Sequence, residues 1–168
     1  MPDDSDKLLQ IYLQDHYAGA SGGVQLANRI LGSLEAPEDT EMGAITAEIE
    51  EDRDALREIM VRLDVDPDRI KQAAAQAGEL MGRLKLNGRI LSPSPSSRVL
   101  EFEGMIMGVT GKLQLWRSLT QIAERDDRLD PVQLGKLIER AEGQRSRLEK
   151  LHAQAASFAF DQAATPAS

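Results

Sequence analysis

The sequence predicts an all-α protein built as a bundle of long helices, and three observations lead there. Leu, Ala, Glu, Gln, Arg and Met dominate the chain, and all are good helix formers. Aromatic residues amount to only 4% and β-branched residues are sparse, so the side chains that favour strands are scarce. Apolar residues recur at intervals of three and four through five segments, and neither an alternating strand pattern nor a fixed internal repeat competes with them. With 168 residues the chain is long enough to bury a core without staples or metals. A single domain over 1–160 is expected, followed by a frayed tail at 161–168, "DQAATPAS", which has nothing to bury.

The first helix, α1, is expected over about 5–31, with Leu9, Leu13, Ala20, Val24, Ala27 and Leu31 on one face. "GSLEAPEDTEMG" breaks it. Helix α2, about 41–64, carries Ile45, Ile49, Leu56, Ile59 and Leu63 inward and a dense Glu, Asp and Arg face outward. In "VDPDRIK", Asp66 is an N-cap and Pro67 the first helical residue, where a missing N–H costs nothing. Helix α3 then spans about 67–86 with Ile70, Ala73, Ala77, Leu80 and Leu84 inward, and Asn87-Gly88 stops it. "RILSPSPSS" is a linker, because prolines alternating with serines favour extended backbone. Helix α4, about 97–125, is the most apolar segment. Asp130-Pro131 opens α5, which runs to about 160 with Leu134, Leu137, Ala141, Leu148, Leu151, Ala155 and Phe158 as its stripe. The four long helices come to about 36–45 Å each at 1.5 Å per residue, and α3 is shorter. Two topologies fit: four long helices in one antiparallel bundle with α3 in the crossover between α2 and α4, or five helices going up and down.

"GASGGV", residues 19–24, has the look of a phosphate-gripping turn, but a dinucleotide site needs an apolar strand just before the glycines. Here "LQDHY" precedes them, polar and in helical register, so Gly19, Gly22 and Gly23 lie inside a helix. Each costs about 0.5–1 kcal/mol there relative to alanine, which calls for a compensating reason. Helix α4 has matching glycines in "EGMIMGVTGK", where Gly104 and Gly108 are spaced for close backbone approach. Two accounts follow: a close crossing of α1 and α4 at these patches, or a pocket left by the missing side chains.

Charge and composition narrow the function classes. There is no cysteine, which excludes disulfides, thiolate metal sites and cysteine nucleophiles. Acidic residues outnumber basic ones 28 to 20, for a net charge of −8, and the arginines are interspersed with carboxylates rather than gathered in a stripe. Nucleic acid is not an expected partner. No run of apolar residues is long enough for a membrane span, and the acidic "MPDDSDK" is unlike a secretory signal, so a soluble cytoplasmic protein is expected.

Two polar residues fall on core faces. Asp52 lies between Ile49 and Leu56 on the buried seam of α2 and needs a partner, for which Arg117 or Lys112 on α4, His16, or a tyrosine hydroxyl are candidates. His16 follows Leu9 and Leu13 and is expected to be a satisfied core histidine. Trp116, Met105 and Met107 are at packing positions on α4. No Ser-His-Asp order, phosphate loop or HExxH motif is present, so no catalytic residue is assigned and enzymatic activity is not the expectation.

Four long helices, a helix-containing crossover and carboxylates near the core face together resemble the ferritin-like superfamily. That superfamily binds two metal ions with a Glu from each of two helices and a Glu-x-x-His from each of the other two. Glu149-Lys150-Leu151-His152 on α5 matches one such motif, whereas "EIEEDRD" on α2 (48–54) has carboxylates and no histidine. The resemblance implies Glu48, Asp52, Glu103 and His152 as candidate ligands for iron or manganese, with Glu48, Glu103 and His152 at one height. At that height α1 offers Ser21 to Gln25, where the superfamily has a carboxylate.

The leading expectation is therefore a non-catalytic ferritin-like bundle without a resident cofactor, acting by self-association or partner binding. Helix α4 is apolar around much of its circumference, including Leu100, Ile106 and Met107, which suggests a homodimer. The alternatives are a divergent di-metal carboxylate protein and a carrier of a small apolar ligand.

Overall fold

In the computed structural model the described residues are 4–86 and 94–161, with the side chains of 80–86 excepted. They form α1 (Asp4–Leu31), α2 (Glu38–Arg62), α3 (Pro67–Leu86), α4 (Pro95–Ala123) and α5 (Pro131–Asp161), with no strand among them. The all-α expectation holds, and the helix starts move by only a few residues. Helix α2 begins at Glu38 rather than 41, and α4 begins at Pro95 because the cap is Ser94, whose hydroxyl accepts from the Ser97 N–H at 3.2 Å. Asp66 and Asp130 cap as expected, accepting from the N–H of Asp68 (2.8 Å) and Val132 (2.9 Å). Helix α2 ends where Asp64 turns into the left-handed region, φ 57°, a conformation aspartate tolerates better than most residues. The Asn87-Gly88 stop, most of the serine–proline linker and the tail beyond 161 lie outside the described residues.

The helix directions follow from which residues meet. Helix α5 pairs antiparallel with α4 through Arg117–Glu142 (2.8 Å) and His152–Glu103 (3.2 Å). It also runs antiparallel to α2, through Arg62–Gln133 (2.6 Å) and Asp52–Gln144 (3.0 Å). Helices α2 and α4 therefore point the same way. Helix α1 is antiparallel to α4, with Tyr12 beside Ser118 at one end and Arg98 beside the α1 C-terminus at the other. Helix α3 leaves the end where α2 stops and comes level with the middle of α1, where Ala77 faces Gly22. Consecutive helices thus alternate in direction, while the four long ones stand up, down, down and up. The alternation is that of five helices going up and down, with α3 packed against α1.

The apolar stripes meet in one core. Leu13, Ala27 and Ile30 of α1, Ile45, Leu56 and Ile59 of α2, Leu113, Trp116 and Leu119 of α4, and Ala141 and Leu148 of α5 are almost wholly removed from water. Three assignments differ. Phe158 is 58% exposed although it continues the α5 stripe. Met107, expected at a packing position, is 70% exposed on the outer side of α4, where Leu100, part of the apolar surface behind the homodimer expectation, is 62% exposed. His16 is only half-buried.

Candidate functional site

The glycine patches of α1 and α4 do not close on each other. A Cβ built at Gly19, Gly23, Gly108 or Gly111 would meet no neighbouring atom within 4 Å among the described residues. At Gly22 the nearest is Ala77 of α3 at 4.0 Å, and at Gly104 it is Leu26 at 3.5 Å. The close crossing expected between these patches is therefore corrected. Helix α1 meets α4 at its two ends instead. Tyr12 donates to Ser118 (3.4 Å) at one end, and at the other Arg29 pairs with Glu101 (2.9 Å) while Arg98 donates to the Ile30 and Ser33 carbonyls. Between these clamps lies a cavity of about 580 Å³.

The cavity has two walls and a floor. Gly19, Gly22 and Gly23 contribute to the α1 wall, Gly104, Gly108 and Gly111 to the α4 wall, and Ile49, Asp52 and Leu56 of α2 close the far side. Exposed Asp15, Gly19 and Gly108 mark where it reaches the surface. Met105, Val109 and Leu115 make the remaining lining largely apolar, with Lys112 and Trp116 beside them. Trp116 is fully buried and its indole N–H has no hydrogen-bond partner among the described residues. His16 lines the mouth edge-on to Tyr12, their ring centroids 4.6 Å apart.

Behind the floor is a buried polar network. Asp52, 1% exposed, accepts from Lys112 Nζ (2.5 Å) and Gln144 Nε2 (3.0 Å) through Oδ2, and its Oδ1 is 2.5 Å from the Arg140 guanidinium. Lys112 donates a second bond to Gln144 Oε1 at 2.6 Å. Arg140 also holds Glu51 (2.6 Å), and Arg147 holds Glu48. Lys112 was among the expected partners of Asp52, whereas Arg117 pairs with Glu142 at the surface. Arg140 and Gln144 were missed. Gln144 lies between Ala141 and Leu148 on the α5 stripe, so its position marked it as a buried amide facing α2. Burial pushes the Lys112 ammonium below its usual range, against the opposing pull of the Asp52 carboxylate.

The four candidate metal ligands do not converge. Glu48 and Asp52 are engaged by Arg147, Lys112 and Arg140, while Glu103 and His152 form a separate, half-exposed pair at 3.2 Å. Along α5 the two groups are set five residues apart, about 7.5 Å at the helical rise, so the expected common height is not observed. Among the described residues no three His, Asp or Glu side chains are grouped to hold a metal ion. Two guanidinium groups and an ammonium stand beside the α2 carboxylates, where their positive charge opposes a cation.

Burial, opposed by the adjacent Asp15 carboxylate, lowers the pKa of His16 from its ordinary 6.5. The unfolded chain then binds this proton more readily, so the His16 contribution to stability is complete above about pH 6.5 and is lost as pH falls through the lowered value. Stability measured by urea unfolding between pH 7 and 5 should decline, and His16→Gln should remove the part of that slope due to this ring. An unchanged slope in the variant would assign the decline to other groups.

Comparison with protein-family models, curated proteins and solved structures finds no match for the chain. No described helix is long and apolar enough to cross a membrane.

Proposed function

We propose that this protein binds a small, predominantly apolar molecule in the cavity between α1, α2 and α4, and acts by binding rather than by catalysis. The observation that carries the proposal is the open space at Gly19, Gly23, Gly108 and Gly111, which lie on the lining of one cavity. Helical glycines cost stability, and here no backbone contact compensates for them; what they leave is volume. About 580 Å³ is within the range of small-molecule sites, which are typically concave, apolar and supplied with a few polar groups.

Filling the space tests this. The double variant Gly19→Leu/Gly108→Leu adds side chains where the structure has none nearby and should fold at least as stably as the parent. An environment-sensitive apolar dye such as 1-anilinonaphthalene-8-sulfonate should bind the parent saturably at one site and the variant at least about tenfold more weakly. Equal binding by both would remove the cavity as the site.

A second reading, self-association of a ferritin-like bundle, is supported by exposed Leu100 and Met107 on α4 and by Phe158 and Phe160 near the same end of the molecule. The up, down, down, up order of the long helices agrees with the ferritin-like resemblance. A homodimer through these side chains requires a melting temperature that rises with protein concentration and falls to the monomer value in Leu100→Lys/Met107→Lys. A melting temperature independent of concentration, with monomeric sedimentation, would dismiss it. The di-metal reading has no comparable support in the geometry.

A further inference from the structure

The polar groups of the cavity divide unevenly between those already engaged and those with bonding capacity left. Asp52 is buried with both oxygens beside cations: Oδ2 accepts from Lys112 and Gln144, while Oδ1 makes no hydrogen bond among the described residues and is ion-paired with the Arg140 guanidinium at 2.5 Å. The Tyr12 hydroxyl is directed to Ser118. Apart from that ion-paired Asp52 oxygen, the groups with capacity left near the floor are donors. An ammonium has three N–H bonds, and Lys112 gives one to Asp52 and one to Gln144, leaving the third. Its side chain keeps 14% of its surface exposed and lines the cavity. The Trp116 indole N–H, on the same helix one turn away, is buried and has no partner.

A ligand that completes these groups must bring an acceptor to the α4 side of the floor. A charge-assisted bond is about twice as strong as a neutral one, and water is largely excluded beside Lys112, so an ionised acceptor is favoured over an alcohol or ether. Asp15 sets the orientation. It is exposed at the mouth, where a ligand anion would be repelled, whereas at the floor the Asp52 charge is offset by Lys112 and Arg140 and the same anion meets the Lys112 ammonium. The rest of the cavity is apolar side chain and glycine backbone, suited to a hydrocarbon body.

We infer that the ligand is a small apolar carboxylic acid, bound carboxylate-inward against Lys112 with its hydrocarbon part between the glycine walls. This assignment rests on the cavity being the binding site. Lys112 would be a specificity-determining residue, separating an acid from an alcohol of the same length.

Trp116 is the chain's single tryptophan and lies on the cavity wall, so its emission reports occupancy. The purified full-length protein is titrated with decanoate, 1-decanol and decylamine below their micellar or solubility limits, following Trp116 fluorescence and the ligand-induced rise in melting temperature. Decanoate should saturate at one equivalent and bind at least about tenfold more tightly than decanol, the factor expected of one hydrogen bond to a charged group. Decylamine should not saturate. In Lys112→Gln the preference for decanoate over decanol should disappear, and Lys112→Arg, which keeps the charge, should retain it. Equal affinity for acid and alcohol in the parent, or a preference that survives in Lys112→Gln, overturns the head-group assignment and leaves the cavity reading intact. Equal binding of all three amphiphiles overturns the head-group assignment as well, in favour of detergent-like adsorption. If neither decanoate nor decanol perturbs Trp116 or the melting temperature, the cavity reading itself falls.

Discussion

Substitution of Gly19, Gly23, Gly108 and Gly111 by alanine is expected to stabilise the protein by about 0.5–1 kcal/mol at each position. The gain comes from the unfolded chain, which loses backbone freedom, and from a methyl group that meets no atom within 4 Å in the folded one. Combined, the four should raise the melting temperature by several degrees, since about 1 kcal/mol corresponds to roughly 2–4 °C in a domain of this size. Urea unfolding of the single and quadruple variants measures it, and the α1 pair should add to the α4 pair because no described atom lies within 4 Å of any of the four new methyl groups. A loss of stability at two or more positions would mean that the backbones are closer than described. The expected companion result is weaker ligand binding, in the order in which the cavity is filled. Stability surrendered at four helical positions on one cavity is the pattern of a site where binding and stability compete.

The second large effect is at Asp52. Asp52→Ala is expected to cost about 3–5 kcal/mol, the range for removing one partner of a buried charged pair, because Lys112 and Arg140 would be left without their common carboxylate. Most of that loss is the penalty on the stranded cations. Adding Lys112→Met to Asp52→Ala should therefore recover part of it, and the double-mutant cycle should show coupling well above that of the exposed Arg117–Glu142 pair, which is expected to lie below about 1 kcal/mol. A cost of under about 1 kcal/mol for Asp52→Ala would show that water reaches the network and screens it.

Much of the fold was legible because burial and helical period coincide. Ile45, Ile49, Leu56, Ile59 and Leu63 repeat at three and four, and all five are buried; Asp66-Pro67 and Asp130-Pro131 open helices where proline costs nothing. Asp52 was readable as a buried charge by the same spacing, and Lys112 as one of several candidate partners. The remaining partners were not, since Arg140 and Gln144 come from a helix whose rotation about its own axis is set only when it docks. The glycines were ambiguous for a related reason. Missing side chains permit either contact or space, and the difference is a few ångströms of helix separation, which follows from how α1 and α4 dock at Tyr12–Ser118 and Arg98–Ile30 and is not written in the glycine segments themselves. The Glu-x-x-His match on α5 shows the opposite weakness: the spacing is present, but Glu103 takes His152 and the arginines take the carboxylates of α2.

The clamps at both ends of the α1–α4 seam also bear on kinetics. With α1 held at Tyr12 and again at Arg29 and Ile30, the opening between them stands in the resting bundle, and no helix has to part for a molecule to enter. A ligand of the kind proposed would then exchange by diffusional encounter and residence time rather than through a gating step.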